Sequence, residues 1–305
     1  ATVARLRLRW PKNCLPMRIA KYMVGAAAML VVAACAHRQP SGQKLLAVSI
    51  EPQRQVLEQL AGPSFAVTTV LGRGPDPETF DPSTAQGVAV DEADMYFATG
   101  VLPFEQRLRQ SLGDDYDFVD TSEGVKLLYG THGHGHHHDG DGHGHLDADP
   151  HYWSSVEGVR AMARNMAKAL CVKYPDSADV VNTRFARFTA SLDSLDSELA
   201  ARLANAPHRT FAVWHPSLSY FAREYELEQL SFGAEGKELS AKELAEAIDH
   251  ARADSVTVFF FQPGIDSRQA EVLSESIGSR LVPVNPLDYD WRGQLILIAD
   301  EIARP

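Results

Sequence analysis

From residue 44 onward, short β-rich runs alternate with stretches whose apolar residues recur every three or four positions. Leu45–Ile50 (LLAVSI), Ala66–Leu71 (AVTTVL), Met95–Thr99 (MYFAT) and Asp117–Asp120 (DFVD) predict strands, with helices between them over Pro52–Leu60, Thr84–Glu92 and Pro103–Leu112. The pattern resumes after residue 208. Thr210–Trp214, Val256–Phe261 and Arg280–Val284 predict strands, and Leu218–Tyr225, Ala241–Ala251 and Arg268–Ile277 predict helices. Such β-α alternation predicts an α/β fold of two similar lobes, residues 44–175 and 208–305, each with a parallel sheet between helices.

Residues 176–205 carry a different pattern. Phe185, Phe188, Leu192, Leu195, Leu199 and Leu203 form one apolar stripe with no glycine or proline to interrupt it. A helix of about thirty residues at 1.5 Å per residue is a rod of roughly 45 Å, long enough to run across both lobes. A rigid rod as the linker implies a small closing motion, with any site in the cleft between the lobes. A coiled-coil dimer would use the same stripe.

The first residues read differently again. Arg5, Arg7, Arg9, Lys12, Arg18 and Lys21 precede an apolar run, Met23–Ala33, that is too short to span a bilayer but suits a signal-peptide core. The run leads into Val32-Ala33-Ala34-Cys35, which resembles a bacterial lipobox. Residues 1–34 are thus expected to be a signal peptide and Cys35 to be lipidated, with the membrane contacted through that anchor. A buried N-terminal helix with an incidental Cys35 is the alternative. Loss of the six leader cations takes the formal net charge from −11 to −17, which disfavours nucleic acid and suits cations. With Cys14 in the leader and Cys35 acylated, Cys171 is left alone, which excludes an intrachain disulfide and a cysteine-based zinc site.

Residues 131–145 (THGHGHHHDGDGHGH) hold seven of the twelve histidines: His132, His134, His136, His137, His138, His143 and His145. No apolar residue interrupts the run, and its glycines raise the cost of ordering any one conformation. A solvated linker is one reading and an expression tag another, but an internal run spaced by Gly and Asp points to metal affinity. Imidazole composition does not choose among zinc, copper and nickel.

Six segments, in order along the chain, carry a resemblance. "DPHYW" (Asp149–Trp153) is similar to the DPH-x-W motif of the metal-binding substrate receptors of ABC transporters, the zinc and manganese uptake lipoproteins. "GPDPETFDPST" (Gly74–Thr84), "WHPSLSYFAREYEL" (Trp214–Leu227), "EGKELSAKEL" (Glu235–Leu244), "VFFFQPGIDSRQAEVL" (Val258–Leu273) and "VPVNPLD" (Val282–Asp288) resemble its other conserved-type segments. The match covers nearly everything after residue 44. The zinc branch of that family also carries a His/Asp-rich loop just before this motif.

The resemblance implies a metal ion held between the lobes by residues from four loops. Two histidines carry over, His151 and His215. Glu78 stands where the family has its first histidine, and Asn285 where it has a late carboxylate; Asp288 is a candidate substitute. Glutamate supplies a zinc-competent oxygen and a negative charge, whereas a neutral amide oxygen is a poor zinc ligand. Two imidazoles and one carboxylate leave a Zn²⁺ site with one net positive charge, completed by a further carboxylate or a water. Added oxygen ligands pull toward Mn²⁺, and the two imidazoles with the histidine loop toward Zn²⁺.

The function implied is that of a non-enzymatic, monomeric, exported receptor. It would capture Zn²⁺ and deliver it to an ABC permease driven by its ATPase, facing the periplasm or cell exterior. Alternatives are a manganese receptor, a metal-storage or adhesin lipoprotein of the same family, and a zinc metallohydrolase. Against the last, no HExxH or comparable nearby base is present.

Overall fold

The computed structural model describes residues 43–72, 76–130, 148–233, 240–263 and 267–305. The expected signal peptide, Cys35 and the seven loop histidines lie outside the described residues. Strands β1 (Lys44–Ile50), β2 (Phe65–Leu71), β3 (Met95–Ala98) and β4 (Phe118–Asp120) form a parallel sheet in the order β2-β1-β3-β4. Helices α1 (Glu51–Ala61), α2 (Thr84–Asp91) and α3 (Pro103–Ser111) are its crossovers, followed by α4 (Val156–Lys173) and α5 (Ala178–Leu203). The second lobe repeats the scheme. Strands β5 (Thr210–Val213), β6 (Glu228–Ser231), β7 (Val258–Phe261) and β8 (Arg280–Pro283) lie in the order β6-β5-β7-β8, all parallel. Its helices are α6 (Ser219–Glu224), α7 (Ala241–Ala253), α8 (Ser267–Ile277) and α9 (Trp291–Ala303).

Side-chain chemistry fixes where several helices start. Ser83 and Gln86 form a reciprocal capping box at α2, and Ser240 and Glu243 do the same at α7. At α1 the buried Gln53 reaches back in the same way, its Oε1 accepting the N–H of the cap residue Ile50 at 3.3 Å and that of Ser49 at 2.9 Å. In the second sheet the two-residue alternation sorts the apolar groups. Phe211, Val213, Val258 and Phe260 join the core that continues into the first lobe, whereas Ala212, Leu230 and Phe259 pack with Ala251, Ala270 and Leu273 on the other side.

The linking helix α5 has 26 residues, about 39 Å at the standard rise. It starts two residues later than the expected 176 because Pro175–Ser177 forms a 3₁₀ turn ahead of it. Val181, Phe188, Leu192, Leu195, Leu199 and Leu203 are buried against α4, α1 and α9 of the same chain. The stripe is therefore consumed within the monomer fold and is not left for a coiled-coil partner. Two bonds tie α1 to the start of α9: Tyr289 Oη to Glu58 Oε2 (2.6 Å) and Trp291 Nε1 to Gln55 Oε1 (2.9 Å). Lys44–Pro305 is accordingly one compact unit. Among the described residues no helix is long and apolar enough to cross a membrane.

Three elements go beyond the sequence-based assignment: α4, α9 and the short strand β6. In each sheet the chain departs to opposite sides of one central strand, β1 or β5. At such switch points the loops beyond the carboxyl ends of the strands diverge and leave a crevice. His215 follows the central strand β5 at such a point, whereas Glu78 comes after the edge strand β2 and His151 after the edge strand β4.

Candidate metal centre

Glu78 follows β2, His151 follows β4 and His215 follows β5, so all three stand beyond carboxyl ends of parallel strands. Their donor atoms converge. His215 Nε2 lies 3.3 Å from His151 Nε2, Glu78 Oε1 lies 3.6 Å from His215 Nε2, and 3.8 Å separates Glu78 Oε1 from His151 Nε2. Zinc–ligand bonds of about 2.0–2.2 Å at tetrahedral angles place donors roughly 3.3–3.6 Å apart. The triangle thus fits a single ion after a contraction of a few tenths of an ångström. The side chains are 3% (His151), 11% (Glu78) and 18% (His215) exposed, so solvent reaches the site from the His215 side.

Each donor is held by its own loop. The Glu78 N–H donates to Asp76 Oδ1 at 2.9 Å, an Asx turn that fixes the backbone under the carboxylate. His215 sits just past β5, where the N–H of Trp214 still bonds to the carbonyl of Phe260 and the N–H of Ser217 closes onto the carbonyl of His215. Gln229 on β6 secures the next turn, accepting from the N–H of Leu218 and donating to Ser219 Oγ.

His151 is the most constrained of the three. The fully buried Asp149 accepts its backbone N–H at 2.9 Å and lies 3.0 Å from its Nδ1. Burial pushes the Asp149 carboxyl up, but its interactions with His151 and the Ser219 hydroxyl outweigh it and hold it below the ordinary range. A carboxylate only accepts, so this contact favours the neutral tautomer with its proton on Nδ1, which leaves Nε2 as the donor atom toward the other two groups. Trp153 packs against the His151 ring, with centroids 5.2 Å apart. Asp149→Asn should weaken zinc binding by about tenfold without unfolding the chain, because the amide no longer selects one tautomer. Competition with a chelator measures the affinity, and ¹⁵N shifts of the ring report the tautomer.

The chain around this site is pinned across the lobes. Tyr220 Oη on α6 donates to the Asp149 carbonyl at 2.7 Å and accepts the N–H of Leu128 at 3.1 Å. Tyr129 and Ala148 form an antiparallel bridge. Tyr129 and Ala148, the latter three residues before His151, are thus side by side.

The remaining candidates are placed differently. Asn285 Oδ1 accepts the N–H of Leu287 at 3.1 Å, and Asp288 Oδ1 accepts the N–H of Asp290 at 2.9 Å. Both side chains shape the turn into α9. Asp288 does not belong to the described donor cluster, which is Glu78, His151 and His215. A second group, Glu228, His250 and Asp254, also brings three donors within 4.8 Å of one another. There His250 and Asp254, one helical turn apart, are paired at 3.2 Å on the surface. The role of Asp149 is not evident from its motif; a carboxylate two residues before a candidate ligand is the signal the sequence offers.

The family model described as zinc-uptake complex component A, periplasmic, matches residues 46–293. Among curated proteins, the chain is 24% identical over 277 residues to the zinc-binding lipoprotein AdcA of Streptococcus pneumoniae, covering 89% of this chain and 55% of that protein. The chain thus spans about half the length of that relative. It is 27% identical over 276 residues to the high-affinity zinc uptake system protein ZnuA of Bacillus subtilis, covering 86% of each. A crystal structure of ZnuA matches with a TM-score of 0.77 at 32% identity, over 86% of this chain and 98% of that one.

Proposed function

Since the chain belongs to the family of zinc-uptake complex component A, we propose that it is a substrate-binding receptor that captures Zn²⁺ between its lobes through Glu78, His151 and His215. The observation that carries this reading is the convergence of two imidazole nitrogens and one carboxylate oxygen to within a few tenths of an ångström of the edge lengths of a zinc tetrahedron. A water completes the coordination. It is exchangeable from the His215 side, which suits an ion that must be released again.

In this reading the protein is exported and anchored through Cys35, acts as a monomer, and passes zinc to an ABC permease and its ATPase. The histidines of residues 131–145 collect metal weakly for the cleft; Tyr129 and Ala148, which flank them in sequence, pair just ahead of His151. Capture rather than catalysis is favoured because the carboxylate beside the donor set that could act as a base, Asp149, is committed to His151.

The test separates cleft from loop. A chain lacking residues 131–145 should keep one tight zinc site, with zinc preferred over manganese in chelator competition. Loss of all tight binding would assign the capture function to the loop, and a preference for manganese would reverse the choice of metal.

A further inference from the structure

Helix α4 opens directly after the Tyr152–Ser154 turn that follows His151, and α6 follows the turn after His215. One side chain joins the two. Glu224, at the end of α6, accepts the N–H of Val156 on Oε2 at 2.9 Å and the N–H of Glu157 on Oε1 at 3.2 Å. These are the first N–H groups of an 18-residue helix, which lack partners within it. Ser155 Oγ takes the third, from Gly158, at 3.1 Å. The opening turn of α4 is therefore satisfied two parts in three by a carboxylate from the other lobe.

We propose that Glu224 is a positioning residue for the metal centre: its ionised carboxylate clasps the start of α4, fixes the spacing of the His151 and His215 segments, and loosens that hold when protonated. The proposal rests on the reading of His151 and His215 as zinc ligands. The two N–H bonds and the positive end of the α4 dipole are complementary to a carboxylate. A protonated carboxyl keeps one good acceptor and turns its other oxygen into a donor, which cannot serve a second N–H.

The surroundings put this change in the neutral range. Burial, first of all, pushes the Glu224 carboxyl up to about 7, the charges of Asp196 on α5 and Glu157 on α4 add to it, and the two backbone N–H groups oppose it. Cations on adjacent turns are engaged elsewhere. Arg160 pairs with Glu157 and Asp193 at 2.9 Å each, and Arg223 donates to the Lys126 carbonyl. Tyr225 donates to Asp196 at 3.0 Å, a bond that leaves the charge of that carboxylate in place beside Glu224.

Two consequences of protonation have opposite signs. Because the folded carboxyl titrates above its ordinary value, its contribution to stability is complete below about 4.5 and is lost as pH rises through about 7. The clasp is strongest above 7 and weakens as pH falls through it. A residue with a merely structural role would move stability and zinc retention together; Glu224 should move them apart.

Glu224→Gln, which mimics the protonated shape, tests this in the full chain by chelator competition and zinc release between pH 6 and 8. At pH 8 the variant should bind zinc about three- to tenfold more weakly than the parent, and at pH 6 the two should converge. Titration of the histidine ligands occurs in both proteins and cancels in the ratio. The melting temperature of the metal-free variant at pH 8 should not fall below that of the parent. A ratio that does not change with pH overturns the proposal, whereas failure of both proteins to bind zinc overturns the site reading instead. A second measurement needs neither variant nor metal. In the metal-free parent, amide protection at Val156 and Glu157, corrected for intrinsic exchange, should drop several-fold from pH 8 to 6 relative to Gly158. Equal protection at both pH values overturns the clasp.

Discussion

Replacing His151 by alanine should weaken zinc binding by tenfold or more, and His215→Ala should do likewise. Each substitution removes one nitrogen from a triangle whose edges are 3.3, 3.6 and 3.8 Å. The two donors left behind repay little of the cost of stripping water from the ion. His151→Ala should cost more of the two, because its ring is 3% exposed and already oriented by Asp149, so little ordering entropy opposes its binding. His215, 18% exposed, starts from a looser position. Glu78→Gln keeps the shape but removes the only negative charge of the three, and should also weaken zinc. Glu78→His should hold zinc while tolerating manganese less, since an imidazole replaces a hard oxygen. Titrations against a chelator at pH 8 make the comparison, well above the pH at which protons compete for the imidazoles. Parent-like affinity in either alanine variant, with an intact circular dichroism spectrum, would remove that histidine from the site.

The strands that were legible in the sequence are those with a compact apolar run between polar breaks, such as Leu45–Ile50 and Val258–Phe261, which are buried in the lobes. Strand β6 escaped because Glu-Gln-Leu-Ser is polar at three positions of four; it is a strand through its pairing with β5, not through its own composition. Helix α9 includes the continuous run Leu295–Ile298, which supports helix and buried strand equally. Helix α4 was readable. Val156, Val159, Met162, Ala163, Met166 and Leu170 recur at helical spacing behind the Ser155 cap, but small residues thin the stripe.

The site divides along the same line. His151, His215 and Glu78, whose donor atoms converge, were each singled out from a motif that sits in one short loop. Asn285 and Asp288 could not be separated by sequence, since what decides their roles is a turn geometry in which both side chains bond to nearby backbone. Glu224 and Val156 are 68 positions apart, and nothing local in either segment announces their contact. Convergence across lobes is a property of the fold, and residues that act only through it are invisible until the fold is drawn.

Gly158→Ala should destabilise the chain by about 3 kcal/mol and disturb zinc binding with it. In an ordinary helix interior the same change stabilises by up to about 1 kcal/mol, because alanine is the better helix former. Here a Cβ would lie 1.9 Å from the backbone oxygen of Tyr152, 2.7 Å from its carbonyl carbon and 2.9 Å from Ser155 Oγ. The obstacle is backbone, not the far end of a flexible side chain. It also belongs to the turn after His151, in which Tyr152 and Trp153 are almost wholly buried and have no space to retreat. To accept the methyl group, α4 must withdraw from the turn, which strains the Ser155 cap and the two N–H bonds to Glu224. Gly87 on α2 provides the control: beyond its own stretch of helix no atom lies within 4 Å of the Cβ it would gain, so Gly87→Ala should leave stability unchanged or raise it slightly. Thermal unfolding of both metal-free variants beside the parent decides the matter. If Gly158→Ala melts with Gly87→Ala, the turn has room to move, and His151 is held less rigidly than its contacts imply.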